Sequence, residues 1–304
     1  MTTVGGQPLA GASAGTRVPN RRGLTASGWK VALGSARAHM KRDRISVAAG
    51  CFAYRWFLSL FPIIVALLGV SALINIPSSV TAQLIHGVTK ALPAGAAGVF
   101  TTAIKQSEGR THGAVTTIVI AGLVALWSAT SGMVIVQEGL DMAYDVGVDR
   151  PFLNKRLRAL PLLLAAVVLG GGASALVVFG QAIGSGLQHA APVAGGAFVV
   201  GWTVVRWVVA VALIGLLFSM LYYLAPNRPE ARWQWVSPGA VVATALWAAI
   251  SVAFSFYTSF SGSYSKTYGA FAGVAILIFW LYLTGMAILL GGEINAAFER
   301  PAGT

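Results

Sequence analysis

The stretch AFVVGWTVVRWVVAVALIGLLFSMLYYL, residues 197–224, contains one charged side chain, Arg206, in an otherwise apolar run. A bilayer core about 30 Å thick is crossed by roughly 20 apolar residues of helix, because an α-helix rises about 1.5 Å per residue. Backbone polar groups in lipid must be bonded within the segment, so a helix is the expected form. The stretch therefore predicts a transmembrane helix with an arginine near its middle.

Five further apolar segments of similar length predict an all-α, polytopic membrane protein with a bundle of six transmembrane helices. Of the 304 residues, 56% are hydrophobic and 10% are charged, which is far from the composition of a soluble protein. The ten-residue alternating strands of membrane barrels do not occur. The six predicted spans are 47–76, 113–136, 158–184, 197–224, 236–260 and 267–292.

The segments before and after the 47–298 transmembrane domain are polar. Residues 1–28 predict a disordered tail, since Gly, Ala, Ser, Thr and Arg cannot bury a core. Residues 29–46 predict a basic amphipathic helix that binds anionic lipid at the membrane surface. Residues 77–112 predict short helices at the outer face, and 299–304 form a second tail. The expected apolar face of the amphipathic helix is Trp29, Leu33, Ala36 and Met40, and its basic set is Lys30, Arg37, Lys41 and Arg44.

The distribution of basic residues predicts the orientation of the chain. Of the 21 Lys and Arg residues, fifteen fall on one side of the six spans and four on the other. The side rich in Lys and Arg is normally cytoplasmic, so both termini are predicted to be cytoplasmic. This topology accounts for the net charge of +12 without a nucleic-acid partner. The first 44 residues lack the apolar region of a signal peptide, so the first span is expected to direct insertion.

Arg55 lies inside the first predicted span, within GCFAYRWFLSLFPIIVALLG at 50–69. A charged group in a membrane segment usually faces the bundle interior. An ion pair with Glu138 or Glu293, at the ends of the second and sixth spans, is the favoured hypothesis. The alternative is a side chain that extends to the nearby surface.

Arg206 lies in the half of its span where no acidic residue occurs in any span. One interpretation is structural hydrogen bonding to carbonyls at glycine breaks or to Gln181, Tyr257 or Tyr264. The other is a water-filled cavity that binds a phosphate or carboxylate, which a guanidinium can hold with two hydrogen bonds. The sequence leaves both open.

Three carboxylates, Glu138, Asp141 and Asp145, follow the second span at spacings of three and four. This spacing would align them on one stripe of a continuing helix. A solvated salt-bridge cluster with the basic residues of the next connection is the favoured interpretation, and a cation or proton site is the alternative. The basic residues concerned are Arg150, Lys155, Arg156 and Arg158.

Signatures of enzymes and cofactors are missing from the sequence. The four histidines are scattered, and a single cysteine, Cys51, excludes a cysteine metal cluster and an internal disulfide. No nucleotide-binding loop or serine-hydrolase elbow occurs. We therefore expect no catalytic residue, no metal and no cofactor.

Glycine pairs at a spacing of four occur at Gly180 and Gly184 and at Gly269 and Gly273. Such pairs let helices approach closely. Packing seams within one bundle are the favoured interpretation, and a homo-oligomer contact is the alternative.

Four blocks of the sequence resemble the bacterial YihY/BrkB family of inner-membrane proteins. The most specific block begins with a tyrosine and a glycine, contains WLYLT and ends with GGEIN. The blocks are DRISVAAGCFAYRWFLSLFP at 43–62, LWSATSGMVIVQEGLDMAY at 126–144, LAPN followed by WVSPGAVVATALW at 235–247, and YGAFAGVAILIFWLYLTGMAILLGGEINAAF at 268–298. The matched positions that bear polar groups are Arg55, Glu138, Tyr268, Glu293 and Asn295.

The resemblance implies a six-helix protein of the bacterial inner membrane. Members have been labelled virulence or serum-resistance factors, a related branch has been linked to export of lipid A precursors, and an older label was a tRNA-processing ribonuclease. The expected function is transport of an anionic, lipid-like substrate, with a non-transporting envelope scaffold as the alternative and an enzyme as a disfavoured third. The candidate substrate-binding or gating residues are Arg55, Glu138, Asp141, Arg206, Tyr257, Tyr268, Glu293 and Asn295.

Overall fold

A computed structural model describes the chain at residues 25–73, 114–177, 180, 184, 195–228, 235–260 and 270–299. Seven α-helices make up most of these residues: α1 Ala26–Arg42, α2 Ile45–Leu73, α3 Ala114–Ala143, α4 Phe152–Ala165, α5 Gly195–Leu224, α6 Pro238–Phe260 and α7 Ala270–Glu299. Helix α4 continues through a π-helical turn, Ala166–Gly170, and stays helical to residue 177. The described residues contain no strand, which confirms the all-α class.

Helices α2 to α7 each overlap one of the six predicted spans. Four described segments are long and apolar enough to cross a membrane: Gly122–Ala143, Phe152–Val177, Phe198–Leu224 and Gly273–Glu299. Shorter apolar segments, Ile45–Leu60 and Pro238–Phe254, lie in α2 and α6. Large apolar side chains such as Leu123, Val200 and Val252 are exposed in several of these helices. An apolar surface of this kind is covered only by lipid or by another protein.

Helix α7 is the central element of the bundle. It packs against α1, α2, α3, α5 and α6, while α4 packs against α3 and α5. The buried core lies towards one end of the bundle, in the first half of α2 and α6 and the last half of α3, α5 and α7. Its largest fully buried apolar members are Phe52, Leu140, Leu162, Tyr222 and Leu289. We call this end, where the α3–α4 and α5–α6 connections lie, the polar end, and the opposite end the far end.

The approach of α6 to α7 at the polar end requires glycine. A Cβ atom on Gly239 would overlap the backbone carbonyl of Gly291, and a Cβ on Gly291 would overlap the Tyr222 hydroxyl and the side chain of Ala243. Only residues without a side chain let two helix backbones come this close. Hence two glycines fix how α6 crosses α7.

Helix α1 lies against the bundle rather than offering its whole apolar face to lipid. Ala32 and Ala36 are buried against Ile294 and Ala297 of α7, and the rings of Trp29 and Phe298 meet edge to face at 4.9 Å. Leu33, expected on the apolar face, is exposed, since the buried stripe passes through Ala32. All four residues of the expected basic set are exposed: Lys30, Arg37, Lys41 and Arg44.

The helix bounds differ from the predicted spans at several ends. Helix α3 continues to Ala143, beyond the predicted span end at residue 136, and α4 begins at Phe152 instead of residue 158. The predicted tail at 1–28 is described only from Thr25, and the predicted helices of 77–112 and Tyr268 lie outside the described residues.

Candidate functional site

Arg150 joins three elements at the polar end. Its Nε donates to Asn227 Oδ1 at 3.1 Å, its Nη1 donates to Gln137 Oε1 at 3.1 Å and to the Ala225 carbonyl at 2.6 Å, and its Nη2 donates to the Pro226 carbonyl at 2.8 Å. Burial lowers the pKa of Arg150, but an arginine still stays protonated near neutral pH. The guanidinium therefore binds neutral oxygens, not the carboxylates that the sequence suggested.

Asp141 supports the turn that follows α5. Its Oδ1 accepts a hydrogen bond of 2.6 Å from the backbone N–H of Asn227, and the Asn227 amide donates to the Val148 carbonyl at 2.9 Å. Asp141 is buried. A charge-assisted bond of this kind is among the stronger hydrogen bonds in proteins. Asp141 is therefore a buried structural acceptor and not part of a solvated cluster.

Lys155 forms one ion pair predicted for the acidic cluster, with Glu138, and a second with Asp149. Its Nζ lies 2.9 Å from Glu138 Oε1 and 2.7 Å from Asp149 Oδ2, and its backbone carbonyl accepts from Gln137 Nε2 at 3.1 Å. The Lys155 ammonium lowers the pKa of Asp149. Glu138 is thus paired with Lys155 and not with Arg55.

Asp145 does not continue the acidic stripe of α3. The helix ends at Ala143, and Asp145 adopts a left-handed conformation with φ of 53°. Its carboxylate forms an ion pair with Arg42 and lies 3.9 Å from His39 Nε2. The predicted alignment of three carboxylates is therefore wrong for Asp145, which holds α1 to the α3–α4 connection instead.

Arg228 ties the end of α5 to α7. It forms an ion pair with Glu299, donates from Nη2 to the Tyr222 carbonyl at 2.7 Å, and lies over the Tyr144 ring at 4.4 Å from its centre. Asn295 Nδ2 donates to the Tyr144 hydroxyl at 2.7 Å. Burial raises the pKa of Tyr144, so that hydroxyl stays protonated.

Glu293 and Asn295 occupy the same layer of α7. Glu293 is fully buried. Asn295 Oδ1 accepts from the backbone N–H of Gly239 at 3.5 Å. A small polar recess opens beside this layer, lined by Ser219, Tyr222, Tyr223, Arg228, Ser237, Asn295 and Glu299.

Arg55 does not belong to this cluster. The side chain is exposed on α2, and none of the carboxylates in the described part of the chain forms an ion pair with it. The neighbouring Trp56 makes the contact to α3, where its Nε1 donates to the Gly132 carbonyl at 3.2 Å. The expected ion pair of Arg55 with Glu138 or Glu293 is therefore wrong, because Arg55 is exposed while Trp56 fills the helix interface.

Arg206 lies on the stripe of α5 that faces α4. Its aliphatic stem packs against Gly180, and Trp202, one turn earlier, packs against Gly184 and donates from Nε1 to the Gly180 carbonyl at 2.5 Å. The Arg206 Nε is buried and has no hydrogen-bond partner among the described residues. The glycine pair at 180 and 184 thus forms a packing seam within the chain, as favoured from the sequence.

An apolar groove of about 560 Å³ lies between α6 and α7 in their far half. Tyr257, a substrate-binding candidate from the sequence, lines this groove on the α6 side, and Phe279 lines it on the α7 side. The full lining is Ile250, Ala253, Phe254, Tyr257, Ala275, Ile276, Phe279 and Leu283. Tyr257 is therefore far from Glu138, Asp141, Glu293 and Asn295, and the candidate residues do not form one site.

Five residues at the polar end were not chosen from the sequence as site candidates. Arg150 was assigned only to the solvated salt-bridge cluster and Arg228 was counted only as a topological charge, while Asn227 lies in the quoted LAPN block and Glu299 was assigned to a tail. Tyr144 ends another quoted block. Polar residues inside the matched blocks were the signal that could have identified Asn227 and Tyr144.

In the described ranges, no three His, Cys, Asp or Glu side chains come together as a metal site would require.

Comparison with known proteins gives a family match at residues 36–304, to virulence factor BrkB. YfkH of Bacillus subtilis, named as a ribonuclease-like protein, is 37% identical over 82% of this chain and 88% of its own length. A UPF0761 membrane protein of Alteromonas mediterranea is 27% identical over 86% of both chains. One of Idiomarina loihiensis is 33% identical over 32% of this chain and 34% of its own. No solved structure matches the chain.

Proposed function

Since the chain belongs to the virulence factor BrkB family of membrane proteins, we propose that it carries an anionic, lipid-like molecule across the bacterial inner membrane. The observation that supports this proposal best is the asymmetry of the bundle. An apolar groove of about 560 Å³ lies in its far half, and a layer of bonded charged and amide groups fills its polar end. A carrier that is closed on one side has this arrangement.

The groove suits the apolar part of such a molecule. Its volume lies within the range of about 300–1,000 Å³ that is typical of ligand pockets. Apolar side chains line most of it, and the hydroxyl of Tyr257 is a polar group that could orient a ligand. An acyl chain would gain burial there without loss of hydrogen bonds.

Arg206 is the proposed partner of the anionic group. It is half-buried against Gly180 and is not among the residues that line the groove, and its buried Nε has hydrogen-bonding capacity that no described residue uses. A guanidinium fork binds phosphate or carboxylate well, and its attraction is stronger where water is scarce. Tyr268, beside the start of α7, is retained as a candidate on sequence grounds alone.

The polar end is the proposed closed gate of the carrier. Asn295 and Glu293 of α7 lie in the layer that Arg228 and Tyr144 complete, while Asp141 and Glu138 bind the neighbouring connections. Opening would have to break these bonds together. In the proposed orientation this end and both termini are cytoplasmic, in accord with the excess of Lys and Arg there.

A flux assay with matched tryptophan substitutions tests the proposal. The full chain is reconstituted in vesicles, and the movement of fluorescent phosphatidic acid between leaflets is measured. Ala253→Trp fills the groove, whereas Val252→Trp places the same ring on a neighbouring exposed position outside its lining. We expect Ala253→Trp to reduce flux to the rate of protein-free vesicles and Val252→Trp to retain it.

Substitution of Arg206 gives a second readout. Arg206→Ala should lower the flux of phosphatidic acid about tenfold, because it removes a charge-assisted hydrogen bond, while a neutral diacylglycerol probe should change little. Arg206→Lys should retain part of the rate. Wild-type flux equal to that of protein-free vesicles would refute the carrier function.

A scaffold for envelope assembly is the alternative, and one observation favours it. Helix α1 is fixed to α7 through Ala32 and Ala36 and leaves Lys30, Arg37 and Lys41 exposed, as a docking surface for an acidic partner requires. If the wild-type protein shows no flux, this function becomes the better supported one. We infer no enzymatic activity.

A further inference from the structure

Two arginines lie near the boundary of the polar end, on the two helices α2 and α4 that pack against α3. Arg55 is exposed on α2 and Arg156 is half-buried on α4. Both helices bind α3 at a similar level, α2 through Trp56 at Gly132 and α4 through Arg156 at Thr130, so the charges of Arg55 and Arg156 act on each other. Two like charges at close range repel each other unless an anion lies between or beside them.

Contacts with α3 fix the level of this arginine pair in the bundle. Trp56, next to Arg55, donates to the Gly132 carbonyl at 3.2 Å. Arg156 Nη1 donates to the Trp127 carbonyl and to Thr130 Oγ1, both at 2.8 Å. On α3, Gly132 is six residues, or about 9 Å, further from the polar end than Glu138. The pair therefore lies where the charged layer gives way to apolar surface.

The charges of the arginine pair are not balanced by the described carboxylates. Glu138 is the nearest acidic residue along α3, and Lys155 holds it at 2.9 Å. Arg156 binds only neutral oxygens, its Nε has no partner among the described residues, and its guanidinium lies 3.9 Å from the centre of the Trp127 ring. A desolvated charge without a counter-ion is costly, so an external anion would stabilise this arrangement.

We propose that Arg55 and Arg156 bind the phosphate group of an anionic phospholipid from the leaflet at the polar end. The surface around them favours a lipid over a free anion, because Trp127 and Phe152 are exposed beside Arg156 and Leu123 is exposed one turn further along α3. Acyl chains would cover these side chains while the phosphate contacts both guanidinium groups. This site lies on α2, α3 and α4, apart from the groove of α6 and α7, so it does not depend on the proposed transport.

Lipid retention by the purified full chain tests the site. Phosphatidylglycerol and phosphatidylcholine are titrated in detergent, and bound lipid is counted by native mass spectrometry for Arg55→Gln, Arg156→Gln and the double variant. The control is Arg158→Gln, which removes one positive charge from an exposed position of α4 outside the proposed site. Thermal unfolding checks that the Arg156→Gln variant folds. Arg55→Gln should fold normally, because the Arg55 side chain forms no bond to a described residue.

We expect phosphatidylglycerol to bind the wild type more tightly than phosphatidylcholine, and to bind about fivefold more weakly for each arginine removed. The Arg158→Gln control should retain wild-type binding, and inorganic phosphate should not displace the lipid. Unchanged binding in the double variant, or an equal loss in the control, would overturn the site. Displacement by inorganic phosphate would show a free-anion site and overturn the lipid assignment. The Ala253→Trp variant should retain the lipid even if transport is refuted.

Discussion

The two ends of the bundle are held together by different interactions. At the polar end, buried groups such as Gln137, Asp141 and Lys155 have partners on neighbouring elements, with bonds between 2.6 and 3.1 Å. The far halves of α5 and α6 instead expose large apolar side chains, including Val200 and Val252. Directional bonds fix one arrangement of helices, whereas apolar contacts in lipid exchange for others at little cost. Motion is therefore expected at the far end, and rigidity at the polar end.

Removal of Arg150 should have the largest effect on stability. Arg150→Ala leaves the Ala225 and Pro226 carbonyls and Gln137 without their donor, and loss of such a half-buried charged donor costs roughly 1.5–3 kcal/mol. Thermal unfolding in detergent measures the change. The control is Arg158→Ala, since Arg158 is an exposed arginine on α4. Equal melting temperatures for the two variants would show that the polar end is no more rigid than the rest.

Glycine substitutions give a second test of the difference between the ends. Gly291→Ala would push a methyl group into the Tyr222 hydroxyl and the Gly239 carbonyl, and overpacking of this kind costs typically about 1–3 kcal/mol. Gly201, in the far half of α5, has open space around its Cβ position, so Gly201→Ala should be neutral or slightly stabilising. Unfolding in a denaturing detergent compares the two variants. Similar stabilities would mean that the close approach of α6 and α7 is not what holds the polar end.

The fold was more predictable than the site for a physical reason. Length and apolar composition are properties of each segment alone, so all six predicted spans correspond to helices. Partner choice depends on the direction in which a side chain points, which the segment alone does not determine. Arg55 was therefore assigned to Glu138, although Trp56 occupies the helix interface and Lys155 reaches the carboxylate. Asp145 was placed on a stripe because nothing in its spacing marks Ala143 as the end of α3.

Interactions at the exposed rim of the polar end should contribute less to the free energy of unfolding than those at its centre. Asp149 lies on this rim, and its substitution should have the smallest effect of the three. Its side chain is exposed, so its ion pair with Lys155 should contribute only about 0.5 kcal/mol near neutral pH. Lys155 lowers the pKa of Asp149 below its unfolded value, so this contribution is present above the unfolded value and is lost as pH falls through the folded one. The difference in unfolding free energy between the wild type and Asp149→Asn should therefore shrink on acidification. A difference that is large, or that grows at low pH, would place Asp149 in the buried centre with Arg150.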